Sequence, residues 1–87
     1  MDAKRKRFAA NLSHARQASG ISQEELGGRT GLHRTEVSLL ERGGREPRLG
    51  TLIKLATALE TSVEALCEGI QWSPKRGDFK IVPPRRR

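Results

Sequence analysis

The sequence has one cysteine, no tyrosine and few aromatic residues, with two phenylalanines and one tryptophan among 87 residues. Cys67 has no partner for a disulfide within the chain, which is typical of proteins in a reducing compartment such as the cytoplasm. Aliphatic residues that are mostly leucine and alanine favour packed helices over a β-rich core. We therefore expect a helical cytoplasmic protein.

A long hydrophobic run is also missing. Residues 8–20 alternate apolar with polar residues, so no signal-peptide core follows the basic N-terminus, and we expect no contact with a membrane. A chain of this length has room for a single core. We expect one domain over residues 1–69, followed by an arm and a basic tail over residues 70–87.

Residue patterns that indicate catalysis or metal binding are absent as well. His14, His33 and Cys67 lack paired ligand spacing such as C-x-x-C, and no nucleophile can be matched with a base and an orienting acid. The sequence therefore predicts a protein that is not an enzyme and needs neither a metal nor another cofactor.

Acidic residues are outnumbered, ten against seventeen Lys and Arg, which gives a net charge of +7. Seven of the basic residues lie in two clusters, at 4–7 and 85–87, and the rest of the chain is balanced. This excess favours a polyanionic partner such as nucleic acid. Basic ends are also ordinary solubilising segments, and a nonspecific nucleic-acid binder driven by them stays an alternative.

Apolar periodicity and end signals predict five helices. Residues 22–25, Ser-Gln-Glu-Glu, form a capping box in which the Ser22 hydroxyl accepts the Glu25 N–H and the Glu25 side chain bonds back. Gly31 can take a positive φ in the corner that follows. Helices are expected over residues 5–18, from 23 to about 29, over 34–42 and 49–60, and from Ser62 onward.

The fourth of these helices has a broad apolar face and is predicted to be mostly buried. That face consists of Leu49, Leu52, Ile53, Leu55, Ala56 and Leu59. Beyond it, alternating residues on both sides of Pro74–Gly77 predict a β-hairpin or extended arm, with a disordered tail as the alternative. The predicted fold class is thus all-α, with five helices and a short C-terminal β-hairpin or extended arm.

Two short helices joined by a tight glycine corner form a helix-turn-helix, whose second helix fits the major groove of DNA, about 12 Å wide. Several motifs follow one another here in a fixed order and spacing. They are Gln-Glu-Glu-Leu at 23–26, Gly-Leu at 31–32, Val-Ser-Leu-Leu-Glu-Arg-Gly at 37–43, Pro47 and the leucines of 52–59. They resemble the Cro and phage-repressor helix-turn-helix family, of the xenobiotic response element type, from about Phe8 to Leu66. The resemblance implies a five-helix lambda-repressor-like DNA-binding domain.

The sequence departs from that family at two places. Gly27 and Gly28 occupy a short helix where alanine is usual at the first position, and each glycine costs about 1 kcal/mol relative to alanine. Arg48 stands where a serine or threonine commonly caps the fourth helix, and it cannot accept the free N–H groups there.

The third helix has two sides if its residues are placed at about 100° intervals. His33, Val37, Leu40 and Glu41 lie on one side. The other side should face the groove, where arginine can bond guanine and an exposed leucine can meet a thymine methyl, although a single exposed leucine is also ordinary. The predicted base contacts are Arg34, Thr35, Ser38 and Leu39.

By resemblance, Gln23 bonds a DNA phosphate beside a helix N-terminus. Arg42, Gly43, Arg45 and Arg48 are predicted to lie along the phosphate backbone. The alternatives are a solvated amide and a solvated charged loop. By the same resemblance, Arg16 pairs with Glu41, a structural role that keeps Glu41 out of the DNA contacts.

The resulting hypothesis is a sequence-specific transcriptional regulator, such as a repressor, that binds duplex DNA as a homodimer on a palindromic operator. The predicted dimer contacts are Leu66, Ile70, Trp72, Phe79 and Ile81. The alternative is a protein-interaction module with the same fold, such as an antitoxin or a polymerase-binding adaptor, that uses helices 4 and 5 and the arm.

Overall fold

The computed structural model describes residues 2–83, and it contains the expected helices and a two-stranded sheet. The predicted fold class is confirmed, and the arm is a β-hairpin. The basic tail predicted at Arg85, Arg86 and Arg87 lies outside the described residues. The elements are α1 (Ala3–Ala18), α2 (Gln23–Thr30), α3 (Arg34–Glu41), α4 (Leu49–Ala58), α5 (Val63–Leu66), β1 (Ile70–Ser73) and β2 (Asp78–Ile81).

Side-chain caps explain where the first two helices begin. Asp2 accepts the Arg5 backbone N–H at 3.0 Å, so α1 starts two residues earlier than predicted. The Ser22 hydroxyl accepts the Glu25 N–H at 3.0 Å, as predicted. The other half of the capping box is wrong, because the Glu25 carboxylate instead accepts from Arg29, one turn later, at 2.8 Å.

The corner between α2 and α3 accounts for one of the two unusual glycines. Gly31 has φ +79°, a left-handed conformation that suits glycine. A Cβ at Gly27 would lie 2.7 Å from the backbone oxygen of Leu32, whereas a Cβ at Gly28 would meet nothing within 4 Å. Close approach of the corner to α2 therefore requires glycine at position 27 and not at position 28.

All five helices contribute to one core, together with Ile21. The prediction that α4 is mostly buried is wrong for Leu49 and Ile53, which are 73% and 50% exposed because they lie beside the stripe that faces the core. The helix ends at Ala58, and Glu60, with φ +53°, lies outside it. The buried residues that form this core cluster are Phe8, Leu12, Ile21, Leu26, Val37, Leu40, Leu55, Ala56, Leu59 and Leu66.

The hairpin pairs β1 with β2 in antiparallel register, with Ile70 opposite Ile81 and Trp72 opposite Phe79. Opposite residues and residues two apart share a face, so these four apolar side chains lie on one side of the hairpin. The Trp72 and Phe79 rings meet edge to face, with centroids 5.2 Å apart. Their exposed fractions are 54% and 40%, so this end of the apolar face is open.

Polar side chains of α1 bond the residues that flank the hairpin on both sides. The Arg7 guanidinium donates to the carbonyls of Glu68 at 3.2 Å and Val82 at 3.4 Å. Asn11 donates to the carbonyls of Leu66 and Glu68, both at 2.9 Å. The start of α1 is therefore part of the fold. No helix within residues 2–83 is long and apolar enough to cross a membrane.

Candidate nucleic-acid interface

Helix α3 turns one side to the core and the other to solvent. His33 precedes it and caps it, since its ring Nδ1 accepts the Thr35 N–H at 3.1 Å. Val37 and Leu40 on the inner side are fully buried. On the outer side Arg34 and Thr35 are exposed and Ser38 is half-buried, and these three residues line a shallow depression. The core therefore leaves the predicted base-contacting face open.

Leu39, the fourth predicted base contact, is half-buried. It packs on the loop that follows α3, where a Cβ at Gly44 would lie 2.5 Å from Leu39 Cδ1. Leu39 thus lies on the outer side of α3 and also supports the loop that follows this helix. Its contact with a thymine methyl stays a prediction.

Glu41 lies at the buried edge of α3, where side chains from α1 and α2 hold it. Arg16 Nε lies 2.6 Å from Glu41 Oε2, and Arg16 Nη2 lies 3.1 Å from Glu41 Oε1. The two side chains are 15% and 5% exposed, and the hydrogen bond to Glu41 raises the pKa of Arg16. Arg16 Nη1 also donates to the Ile21 carbonyl at 2.9 Å. The bidentate pair ties α1 to α3, and the bond to Ile21 ties α1 to the segment that precedes α2.

Gln23, the predicted phosphate contact, lies in the first turn of α2 and is half-buried. Its Nε2 donates to Glu41 Oε1 at 3.2 Å. One carboxylate therefore orients both Arg16 and Gln23. The sequence carried no signal for this second bond, because residues 23 and 41 are brought together only by the packing of α2 against α3.

The loop over residues 42–48 follows the open end of α3. Arg42, Arg45 and Arg48 are all exposed. Arg42 Nε donates to the Ser38 carbonyl at 3.3 Å, and Arg45 lies 3.7 Å from the Glu36 carboxylate. Arg48 precedes α4 without capping it by its side chain. The structure thus gathers three cationic side chains beside the outer face of α3.

Gly43 was predicted to contact the DNA backbone, but its own N–H group is bonded inside the protein. It is buried with φ +75°, and its N–H donates to the Leu40 carbonyl at 3.2 Å. The Gly44 N–H donates to the Leu39 carbonyl at 3.0 Å. These bonds close the C-terminal end of α3, so both N–H groups are already used inside the protein.

A contact between this loop and the start of α1 was not predicted from the sequence. Arg5 Nη1 donates to the Gly44 carbonyl at 3.4 Å, and the Lys4 ammonium pairs with the Glu46 carboxylate. The basic run at residues 4–7 signalled charge, but its contact with residues 44–46 depends on the tertiary fold.

Comparison with known proteins identifies the class to which this fold and surface belong. Residues 12–66 match the helix-turn-helix family HTH_3. The control protein C.SmaI of Serratia marcescens is 46% identical over 59 residues, which cover 68% of this chain and 70% of that protein. The chain spans between 31% and 75% of the lengths of the curated relatives that it matches.

Solved structures agree with this assignment. The restriction-modification controller protein C.AhdI from Aeromonas hydrophila has a TM-score of 0.73 and 40% identity, over 75% of this chain and 98% of that chain. The P22 c2 repressor, solved in complex with a synthetic operator, has a TM-score of 0.67 and 29% identity, over 71% and 94% of the two chains. The chain belongs to the helix-turn-helix family, whose members are DNA-binding transcriptional regulators and not enzymes.

Proposed function

We propose that the protein regulates transcription by inserting α3 into the major groove of a specific duplex DNA sequence. The observation that carries this proposal is the division of α3 into a fully buried side and an open one. Arg34 bonds a guanine edge, Thr35 and Ser38 bond neighbouring bases, and Leu39 lies against a thymine methyl. The helix reads only a few base pairs.

Contacts to the phosphate backbone set the register of α3 in the groove. Gln23 lies at the start of α2, where free backbone N–H groups favour an anion. Arg42, Arg45 and Arg48 flank the other end of α3. Since the Gly43 N–H is bonded inside the protein, this loop contributes arginine side chains and not glycine N–H groups.

A homodimer would supply the specificity that one helix lacks, with two α3 helices about 34 Å apart on successive turns of DNA. Leu66 is 1% exposed and cannot contribute to a surface between two copies, contrary to its prediction. Within residues 2–83, four large apolar side chains are substantially exposed and form our proposed dimer surface: Leu49, Ile53, Trp72 and Phe79.

An apolar groove supports treating these two pairs as one surface. Leu52 of α4 and Phe79 of β2 both line it, together with Pro47, Cys67 and Ile70. Leu49 lies within one turn of both Leu52 and Ile53 on α4, and the Phe79 ring meets the Trp72 ring edge to face. Ile70 and Ile81 are half-buried and lie at the inner end of the same hairpin face.

We assign DNA binding to residues 1–69 and part of the dimer contact to the arm over residues 70–87, and we place the protein in the cytoplasm. The rival is a protein-interaction module. It is favoured by an acidic flank, since Glu60, Glu64 and Glu68 are all exposed. Such a flank suits a surface turned away from DNA.

Selection from a random duplex pool distinguishes these functions. A regulator recovers an inverted repeat, and Arg34→Ala then loses about 1 to 3 kcal/mol of discrimination at one base pair in each half-site while binding to random duplex changes little. Arg29→Ala, which removes an exposed arginine from α2, is the matched control. Recovery of no motif would favour the interaction module, and equal effects of both variants would contradict the role of Arg34.

Sedimentation of the free protein tests the dimer surface. Ile53→Lys is expected to convert a dimer into a monomer, because it places a charge in an apolar contact. Ala18→Lys adds the same charge to an exposed position at the other end of α1 from the hairpin and should leave the dimer intact. A wild-type monomer at high micromolar concentration, or a dimer that tolerates Ile53→Lys, would refute this assignment.

A further inference from the structure

Lys4 connects three parts of the chain. Its ammonium pairs with the Glu46 carboxylate in the loop after α3 and lies 3.4 Å from Asp2 Oδ2, at the cap of α1. It also lies 5.1 Å from the centroid of the Phe79 ring in the hairpin. The side chain is only 22% exposed, and the bond to Glu46 raises the pKa of Lys4. A cation held between a carboxylate and an aromatic face is attracted to both.

The loop that Lys4 reaches contains the arginines assigned to the phosphate backbone. Residues 42–48 form no helix or strand. Backbone bonds from Gly43 and Gly44 to α3 hold the start of the loop, and side-chain contacts hold the part that follows. Its side-chain contacts include the Leu39 packing on Gly44, the Arg5 bond to the Gly44 carbonyl, the Arg45 approach to Glu36 and the Lys4 pair with Glu46. Among these contacts, the Lys4–Glu46 pair is the one whose lysine also contacts the hairpin, through Phe79.

The hairpin is held against α1 through Arg7, one turn from Lys4. Phe79 lies at its open end, edge to face with Trp72. The same Phe79 ring and Lys4 line one groove with Glu46 and Pro47. The side chain of Lys4 therefore contacts both the hairpin and the loop.

We propose that Lys4 is a positioning residue that couples the C-terminal hairpin to the DNA-backbone loop through Phe79 and Glu46. This inference rests on the proposed function. The hairpin then raises DNA affinity without touching DNA, by holding the loop where its arginines meet phosphates. The effect is uniform over DNA sequences, because backbone contacts carry no sequence information.

Binding of the full chain to the selected operator and to random duplex, measured by fluorescence anisotropy, tests the coupling. Glu46→Gln is the most informative variant. Removing a negative charge beside a polyanion would strengthen binding through electrostatics alone, whereas loss of loop positioning weakens it. Lys4→Met removes the other partner, and Lys6→Met removes an equal charge from an exposed position of the same helix.

We expect Lys4→Met and Glu46→Gln each to weaken both complexes by about two- to tenfold. The double variant should bind DNA no more weakly than either single variant, since both substitutions remove the same contact. Phe79→Leu should weaken binding in the same direction, and Lys4→Arg should retain it. Stronger binding by Glu46→Gln, or equal losses for Lys4→Met and Lys6→Met, would overturn the proposal.

Backbone amide NMR of the free protein provides a readout that does not need DNA. Lys4→Met and Phe79→Leu should both shift the amide signals of residues 43–46, and Lys6→Met should not. Unshifted loop signals in Phe79→Leu would overturn the coupling even if DNA binding fell. If the wild type shows no operator preference, the proposed function fails, while these shifts still decide whether hairpin and loop are coupled.

Discussion

Replacement of Arg16 by methionine should destabilise the fold strongly. The variant leaves the Glu41 carboxylate, 5% exposed, with one remaining bond from Gln23 at 3.2 Å. Breaking a buried ion pair costs about 3 to 5 kcal/mol, and the surviving amide bond places our expectation near the lower end, about 3 kcal/mol. A domain of this kind is stable by about 5 to 15 kcal/mol, so the variant should fold with much of its stability lost.

Urea unfolding followed by far-ultraviolet circular dichroism measures the loss. Arg29→Met is the matched control, because it removes the same side chain from the Arg29–Glu25 pair, whose partners are 46% and 49% exposed. An exposed pair of this kind contributes about 0.2 to 1 kcal/mol. Arg16→Lys should fall between them, since an ammonium cannot reproduce the two parallel bonds of the guanidinium.

Equal unfolding free energies for Arg16→Met and Arg29→Met would refute the reasoning. That result would mean that water reaches Glu41 and that the pair is held no better than a surface contact. The linkage of α1 to α3 would then have to come from apolar packing alone.

The two adjacent glycines of α2 should respond oppositely to alanine. Gly27→Ala should lose about 1 to 3 kcal/mol, because its Cβ would lie 2.7 Å from the Leu32 backbone oxygen, whereas Gly28→Ala should gain about 0.5 to 1 kcal/mol in an open helical position; thermal unfolding checks both, and a shared sign would contradict the close approach. Ser22→Ala should cost about 1 kcal/mol in urea unfolding, because the Glu25 N–H loses its acceptor, and an unchanged midpoint would show that the cap is not needed.

Local signals predicted most of the helical architecture correctly. The Ser22 cap and the positive φ at Gly31 depend on a few neighbouring residues, and the structure has both. The spacing of Val37 and Leu40 identified the buried side of α3 for the same reason. Such features are encoded within one or two turns of helix, where sequence distance and spatial distance agree.

Other features of the surface could not be read in this way. Leu49 and Ile53 belong to an apolar stripe, yet they are exposed because no other element within residues 2–83 covers that side of α4. Leu66 was predicted to contact a second copy of the chain and is in the core. Gly43 could have offered its N–H to a phosphate, but the end of α3 uses it.

The amino-acid sequence by itself determined the helices, the Ser22 cap, the glycine corner and the side of α3 that faces inward, because short-range hydrogen bonds and a 3.6-residue period specify them. Tertiary structure alone decided that Glu41 holds Gln23 as well as Arg16 and that Lys4 meets both Glu46 and Phe79. These partners are far apart along the chain. Their contacts depend on how whole helices and the hairpin pack, which no local pattern records.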